Sequence, residues 1–172
     1  MYNAFILPHI SYGLEVWGST YPTYLNCILT AQKMIVRTML FKSHMEHSAP
    51  LFIQLNILDI YKLHKLLIGS FIYSLVHLNS PHILSDYFSD KKHEYDTRLC
   101  HRQNLYPYHA RTNSGQFAIS FVGAKIWNDI PIQIRSKNSQ HIFRKSLKQY
   151  LVEQYRWLNC KLTDVLTFRL LY

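Results

Sequence analysis

The 172 residues suit a single globular domain and are enough to bury a sizeable hydrophobic core. Hydrophobic residues form 48% of the chain, which is too high a share for an intrinsically disordered protein. Residues 1–90 hold five basic and five acidic side chains and the remainder holds fourteen and five, so the net charge of +9 lies entirely after residue 90. We expect a scaffold in the first half and a surface for polyanions in the second.

The cysteines and the apolar runs indicate in which cellular compartment the protein is expected. Three widely spaced cysteines without a CxxC pair indicate neither a zinc knuckle nor a disulfide framework. They are typical of reduced thiols in an intracellular protein, nuclear or cytoplasmic. The first apolar run has no basic region before it, which argues against a secretory signal. The longest apolar stretch, Leu66 to Val76, is too short for a bilayer core of about 30 Å, so no membrane partner is expected.

Helices are predicted over most of the first 80 residues. The segment from Asn3 to Trp17 has an aromatic-rich helical pattern with a break near Pro8. An apolar stripe predicts a helix from Thr23 to about Phe41. Its exposed side is predicted to carry Gln32, Lys33 and Arg37. A short helix is predicted between Ser48 and Asn56, and a mostly apolar one from about Ile60 to Leu78, capped by Asp59, at the centre of a bundle.

The pattern changes after residue 88. From Ser89 to Ser114 polar and charged residues dominate and no helical period is sustained. This segment is predicted to be irregular, with short β-strands as an option at Leu99 to Tyr108 and at Gln116 to Ser120.

The remainder returns to a helical pattern. We predict a helix from Phe121 to Asn128, a turn pinned by Pro131, and a basic amphipathic helix that Ser139 is placed to cap. Trp17, Trp127 and Pro131 are interpreted as structural anchors. The predicted fold class is therefore mainly α, a helical bundle with an irregular basic loop region. Its parts are a scaffold at 1–88, the irregular segment at 89–120, a C-terminal helical part of the same domain at 121–157, and a tail of unknown structure at 158–172.

Two basic regions are candidate nucleic-acid contacts. In the irregular segment, cations alternate with aromatic rings at Lys91, Lys92, Tyr95, Arg98, Arg102, Tyr106, Tyr108 and Arg111. Arginine and lysine neutralise phosphates and tyrosine stacks on bases, and a loop suits RNA or single-stranded DNA. The other region is the last predicted helix, with Arg144, Lys145 and Lys148. Two alternatives stay open: the tyrosines fold back onto the bundle, and the helix packs in the core or lies on a membrane or a partner.

Seven short segments follow one another in a fixed order along the chain. They are Tyr12-Gly13-Leu14-Glu15-Val16-Trp17-Gly18, the helix with Gln32, Lys33 and Arg37, Ser48-Ala49-Pro50-Leu51, Tyr95-Asp96-Thr97-Arg98, the segment of Arg111-Thr112-Asn113 and Gly115, Trp127-Asn128-Asp129-Ile130-Pro131, and Phe143-Arg144-Lys145-Ser146-Leu147. In this order they resemble the region downstream of the polymerase core in non-LTR (LINE-type) retrotransposon reverse transcriptases. Each motif is short, and it is their order over residues 2–152 that is specific.

The resemblance implies an accessory region that holds RNA or DNA for an RNA-directed DNA polymerase. The missing polymerase core would then be its packing partner. We expect the reading frame to start partway along a longer protein, and the product to be an accessory fragment or a relic without a role. The alternative is a helical protein-interaction or structural domain that binds no nucleic acid.

Catalytic and metal sites are not expected. The chain has no Asp-Asp pair for two divalent metals and no GxSxG, GxxxxGK[ST] or HExxH motif. The closest carboxylates, Glu94 and Asp96, lie in a Lys- and His-rich stretch and are interpreted as a solvated pair. His44 with His47 lacks a third ligand nearby. The evenly spaced histidines at 93, 101 and 109 are interpreted as structural or solvent-facing. No enzyme activity, cofactor or metal is therefore predicted.

Overall fold

A computed structural model describes residues 1–77, 88, 104–105 and 110–169, with side chains described as far as residue 155. In these residues the protein is mainly α-helical and has no β-strand, which confirms the predicted fold class. The optional strand at Gln116 to Ser120 is wrong, because this stretch ends one helix and begins the next. The optional strand at Leu99 to Tyr108 lies outside the described residues except for Asn104 and Leu105.

The chain forms two compact units, each built from two stretches of sequence. The first unit comprises Met1–Thr20 and His64–Leu147, and the second comprises Tyr21–Leu63 and Lys148–Tyr172. The predicted scaffold of residues 1–88 thus contributes to both units.

The first unit opens with three short helices: α1 at Tyr2–Phe5, α2 at Leu7–Ser11 and α3 at Leu14–Trp17. Pro8 lies in the first turn of α2, where its missing N–H is tolerated, so the helical run breaks just before it rather than at it. Gly13 separates α2 from α3 with a φ of +62°, a left-handed conformation that glycine adopts without a steric penalty.

The second unit contains α4 at Pro22–Met39 and α5 at Ser48–Gln54. The α4 helix lies within two residues of its predicted bounds. Helix α6, at Ile60–His77, begins in this unit and continues into the first. Asp59 caps α6, since its Oδ1 accepts the backbone N–H three residues ahead at 2.8 Å.

Four helices follow in the C-terminal part. They are α7 at Asn113–Gln116, α8 at Ile119–Asp129, α9 at Ile132–Arg135 and α10 at Gln140–Arg169. Ile130, before Pro131, is extended (φ −76°, ψ 131°), as the sequence predicts for a residue that precedes proline. Helix α10 begins directly after Ser139 and extends through most of the tail that the sequence left unassigned.

Stacked aromatic rings form the core of the first unit. The ring centroids of Tyr73 and Phe143 are 4.5 Å apart with an interplanar angle of 24°, and those of Trp127 and Phe143 are 6.0 Å apart. The Tyr73 hydroxyl donates to the backbone oxygen of Lys137. A Cβ at Gly123 would lie 2.9 Å from Cδ1 of Ile72, so α8 approaches α6 as closely as it does only because residue 123 has no side chain.

The second unit has one polar side chain at its centre. Gln32 is fully buried, so its predicted position on the exposed side of α4 is wrong. Its Nε2 donates to the Leu58 oxygen at 2.8 Å, and its Oε1 accepts from the Ile60 nitrogen at 3.0 Å. One side chain thus satisfies a loop carbonyl and an unpaired N–H in the first turn of α6. Elsewhere in this unit, the Phe52 and Tyr155 rings stack at 6.3 Å.

Candidate nucleic-acid interface

Four of the eleven predicted contact residues lie in the part of the chain whose side chains the structure describes. Arg111, Arg144 and Lys145 are exposed in the first unit. Lys148 is half-buried and belongs to the second unit. The remaining seven lie outside the described residues: Lys91, Lys92, Tyr95, Arg98, Arg102, Tyr106 and Tyr108.

The first unit is strongly basic in its C-terminal stretch, residues 110–147. This stretch contains one acidic side chain, Asp129. Its five exposed cations are Arg111, Lys125, Lys137, Arg144 and Lys145. In α10 the exposed Arg144 and Lys145 alternate with the buried Phe143 and Leu147, so the apolar side packs and the cations remain in water. Such an excess of solvated cations attracts a polyanion.

Lys125 is a contact candidate that the sequence analysis did not name. It is exposed on α8 between the buried Ala124 and Ile126. The signal was available in the sequence, because the apolar period of α8 leaves position 125 on the polar side of the helix.

Arg135, in contrast, is not available to a ligand. It is 4% exposed, and among the described residues of the first unit its guanidinium donates to three acceptors. They are the Ile130 oxygen at 2.7 Å from Nε, Asn104 Oδ1 at 3.0 Å from Nη1 and the Asn128 oxygen at 3.2 Å from Nη2. Burial lowers the pKa of Arg135 from its usual value, but a guanidinium stays charged at neutral pH. It therefore holds the turn before α9 in place.

Asn128 fixes a second backbone segment beside this turn. Its Oδ1 accepts from the Leu105 nitrogen at 3.0 Å, and its Nδ2 donates to the Leu105 oxygen at 2.8 Å. Leu105 is itself 6% exposed. Asn104 and Leu105 lie between the candidate contacts Arg102 and Tyr106 in the sequence, so the basic segment is tethered to α8 and to Arg135 near its middle.

Two of the predicted anchors lie at this same turn. Trp127 is 1% exposed, and its ring is 5.9 Å from Cζ of Arg135, within range of a cation–π interaction. Pro131 precedes α9 as its N-cap residue, and its carbonyl accepts from the nitrogens of Ile134 and Arg135.

The third anchor, Trp17, closes the turn between α2 and α3. Its Nε1 donates to the Tyr12 oxygen at 2.8 Å across the left-handed Gly13. A Cβ at Gly18 would lie 2.9 Å from Cγ of the buried His64, so a larger residue there would displace the imidazole. The spacing of the two glycines and Trp17 thus has a packing explanation.

His64 is a buried ionisable group that the sequence analysis did not single out. Burial, with a smaller contribution from the charge of Lys65, lowers its pKa to about 4. Its Nε2 lies 3.4 Å from Oγ of Ser19. At neutral pH the ring is uncharged and is part of the core.

Across the described part of the chain, no three His, Cys, Asp or Glu side chains come together as a possible metal site. The histidine series at 93, 101 and 109 and the Glu94-Asp96 pair lie outside that part. None of the helices described is long and apolar enough to cross a membrane. No family model, curated protein or solved structure matches this chain.

Proposed function

We propose that the chain is a non-catalytic accessory region of a non-LTR retrotransposon reverse transcriptase, acting inside the cell, that binds RNA or single-stranded DNA. The observation that carries the proposal is the charge of residues 110–147, where five exposed cations face solvent against a single carboxylate. Polyanion backbones are attracted by such an excess of exposed cations without any requirement for sequence.

The tether at Asn104 and Leu105 supports the same proposal. A segment rich in Lys, Arg and Tyr side chains loses conformational entropy when it binds, and this loss weakens binding. Hydrogen bonds from Asn128 and Arg135 fix the middle of the basic segment before any ligand arrives. The loss of conformational entropy on binding is then smaller.

Binding to a fluorescent single-stranded RNA, followed by anisotropy over a range of KCl concentrations, tests the proposal. The affinity is expected to fall steeply with salt, with a slope in log–log form of about −0.7 per phosphate neutralised. Charge reversal of Arg98, Arg102 and Arg111 together is expected to reduce that slope by about 2 and to abolish binding at physiological salt.

A control must separate local contacts from net charge. Reversing Lys33, Lys42 and Lys65 changes the net charge by the same amount outside the proposed interface. That variant should keep at least half of the affinity. Equal losses in both triple variants, or binding that is independent of salt, would overturn the nucleic-acid interface.

The origin of the chain needs a separate test. Sequencing the transcript and the flanking DNA upstream of Met1 should show an open frame that continues back to an aromatic-x-Asp-Asp turn. Stop codons or unrelated sequence there would overturn the link to a reverse transcriptase but would leave the binding proposal to the RNA experiment.

A further inference from the structure

Helix α4 has a second apolar stripe, and this one faces solvent. Its members are separated alternately by three and four residues, the spacing of a coiled-coil seam. They are Tyr24, Cys27, Ala31, Met34, Thr38 and Phe41, all of them exposed. The other side of α4 buries Leu25, Gln32 and Val36 in the second unit. One helix therefore has one packed face and one seam-like face open to water.

Two polar members of this stripe, Cys27 and Thr38, are satisfied within α4. The Cys27 thiol donates to the Thr23 oxygen at 3.7 Å, and the Thr38 hydroxyl donates to the Met34 oxygen at 3.0 Å. Because each donor is directed to the carbonyl one turn back, docking an apolar surface here leaves neither of them unpaired. Cys27 and Thr38 can therefore pack against an apolar surface without losing a hydrogen bond.

Phe41 extends the stripe beyond the helix at a conformational cost. It has a φ of +53°, in the left-handed region where glycine is the usual residue after a helix end. The Lys42 nitrogen donates to the Arg37 oxygen at 2.9 Å, which closes the helix around Phe41. The ring is nevertheless 97% exposed and gains nothing from packing in the chain itself. A strained position that presents a bulky apolar side chain to water indicates a contact with another molecule.

The charge beside the stripe selects the kind of partner. Arg37 borders the stripe, since it lies three residues from Met34, and Lys42 follows Phe41. Residues 22–45 contain no carboxylate. The next acidic residue, Glu46, is already paired with Lys42 at 3.2 Å. A second copy of α4 would bring the same cations and would be repelled by them. An acidic partner helix complements this charge.

We propose that the exposed face of α4 docks an amphipathic helix of another protein, with an apolar seam flanked by Asp and Glu. This surface goes beyond nucleic-acid binding and does not depend on it. The apolar seam supplies the contact area, and the flanking charges set the partner and its direction.

Designed helical peptides test this surface with the full chain. One labelled peptide carries Leu at the seam positions and Glu beside them, and a second carries Lys in place of Glu. Fluorescence anisotropy is expected to show binding of the acidic peptide and at least about tenfold weaker binding of the basic one. Equal binding of the two, or no binding of the acidic peptide, would overturn the proposal.

Matched variants locate the contact. Met34→Glu and Phe41→Gly should each weaken acidic-peptide binding at least about fivefold, as expected for central and terminal members of the seam. Val16→Glu changes an apolar residue that is 83% exposed in the other unit and should stay within about twofold. Phe41→Gly also relieves the left-handed strain, so unfolding cannot explain its loss of binding if its urea midpoint is unchanged or higher.

Sedimentation without peptide tests whether a second copy of this chain covers the stripe instead. A monomer is expected at micromolar concentration. A dimer that Met34→Glu dissociates would show that a second copy covers the stripe, which would contradict the acidic-helix proposal.

Discussion

Replacing Gln32 by alanine should destabilise the second unit more than any exposed substitution in α4. The Gln32 amide bonds the Leu58 carbonyl and the Ile60 N–H at the same time. Leu58 is 4% exposed and Ile60 is fully buried, so water has little access to either backbone group once the amide is gone. Both groups would lose a hydrogen-bond partner in the folded state but not in the unfolded one.

The expected cost follows from those two groups. A buried donor or acceptor left unpaired costs about 1–3 kcal/mol, so Gln32→Ala should lower the free energy of unfolding by about 2–5 kcal/mol. A small domain has about 5–15 kcal/mol of stability in total, so a loss of this size is readily detected. Gln54, an exposed glutamine in α5, provides a control of the same residue type. Gln54→Ala should change stability by about 0.5 kcal/mol or less.

Gln32→Glu tests the geometry more closely. The carboxylate can still accept from the Ile60 N–H but places a negative oxygen against the Leu58 carbonyl, which only the protonated acid can donate to. The folded pKa of this glutamate should therefore be raised, and a group with a raised folded pKa stabilises the protein less as pH rises through it. Relative to the parent, the variant should lose more stability at pH 7 than at pH 4.5.

Urea unfolding monitored by circular dichroism would measure these differences. An effect of Gln32→Ala no larger than that of Gln54→Ala would contradict the role of the two hydrogen bonds, since it would mean that other groups satisfy the two backbone partners. A Gln32→Glu variant whose deficit does not change with pH would refute the assignment of the amide donor to the Leu58 carbonyl.

Three further predictions concern other sites. The folded pKa of His64, about 4, lies below the unfolded value of 6.5, so the free energy of unfolding should fall by up to about 3 kcal/mol as pH drops from 6.5 to 4. Urea titrations at each pH measure this fall, and a His64→Gln variant that keeps the full pH dependence would contradict it. Phe41→Gly should stabilise the chain by about 1 kcal/mol and Phe41→Ala should not, because only glycine relieves the positive φ; equal urea midpoints would count against strain. Arg135→Lys should lower the free energy of unfolding by about 2–3 kcal/mol, because an ammonium cannot reach the three separate acceptors of the guanidinium. The exposed Lys137→Arg is the control and should be neutral in the same thermal or urea unfolding measurements. A neutral Arg135→Lys would show that these hydrogen bonds add little stability.

Helix positions were predictable because local rules fix them. The apolar period placed α4 and α6 within two residues of their bounds, and the effect of Pro131 on Ile130 follows from steric clash alone. The left-handed conformation of Gly13 and the Trp17 hydrogen bond across it, in contrast, were not predicted, because the sequence shows only the motif in which they lie.

Predictions from residue type fail where a polar side chain forms hydrogen bonds inside the protein. Gln32 is predicted to face solvent, yet it is buried, and the charged Arg135 is buried as well. Sequence periodicity assumes that polar side chains face water, and it cannot anticipate a buried hydrogen-bond partner from a distant segment. The Leu58 carbonyl and Asn104 are 26 and 31 residues away from the groups that bond them.

Composition and short-range spacing were enough to predict the helical class, the basic character of the second half and the chemistry of the candidate contacts. The tertiary structure was needed to show which cations remain in solvent, since Arg135 and Lys125 differ in burial and not in charge. It also decided that α4 has one packed face and one exposed seam. Both outcomes depend on which distant groups pack together, and that is a property of the folded chain.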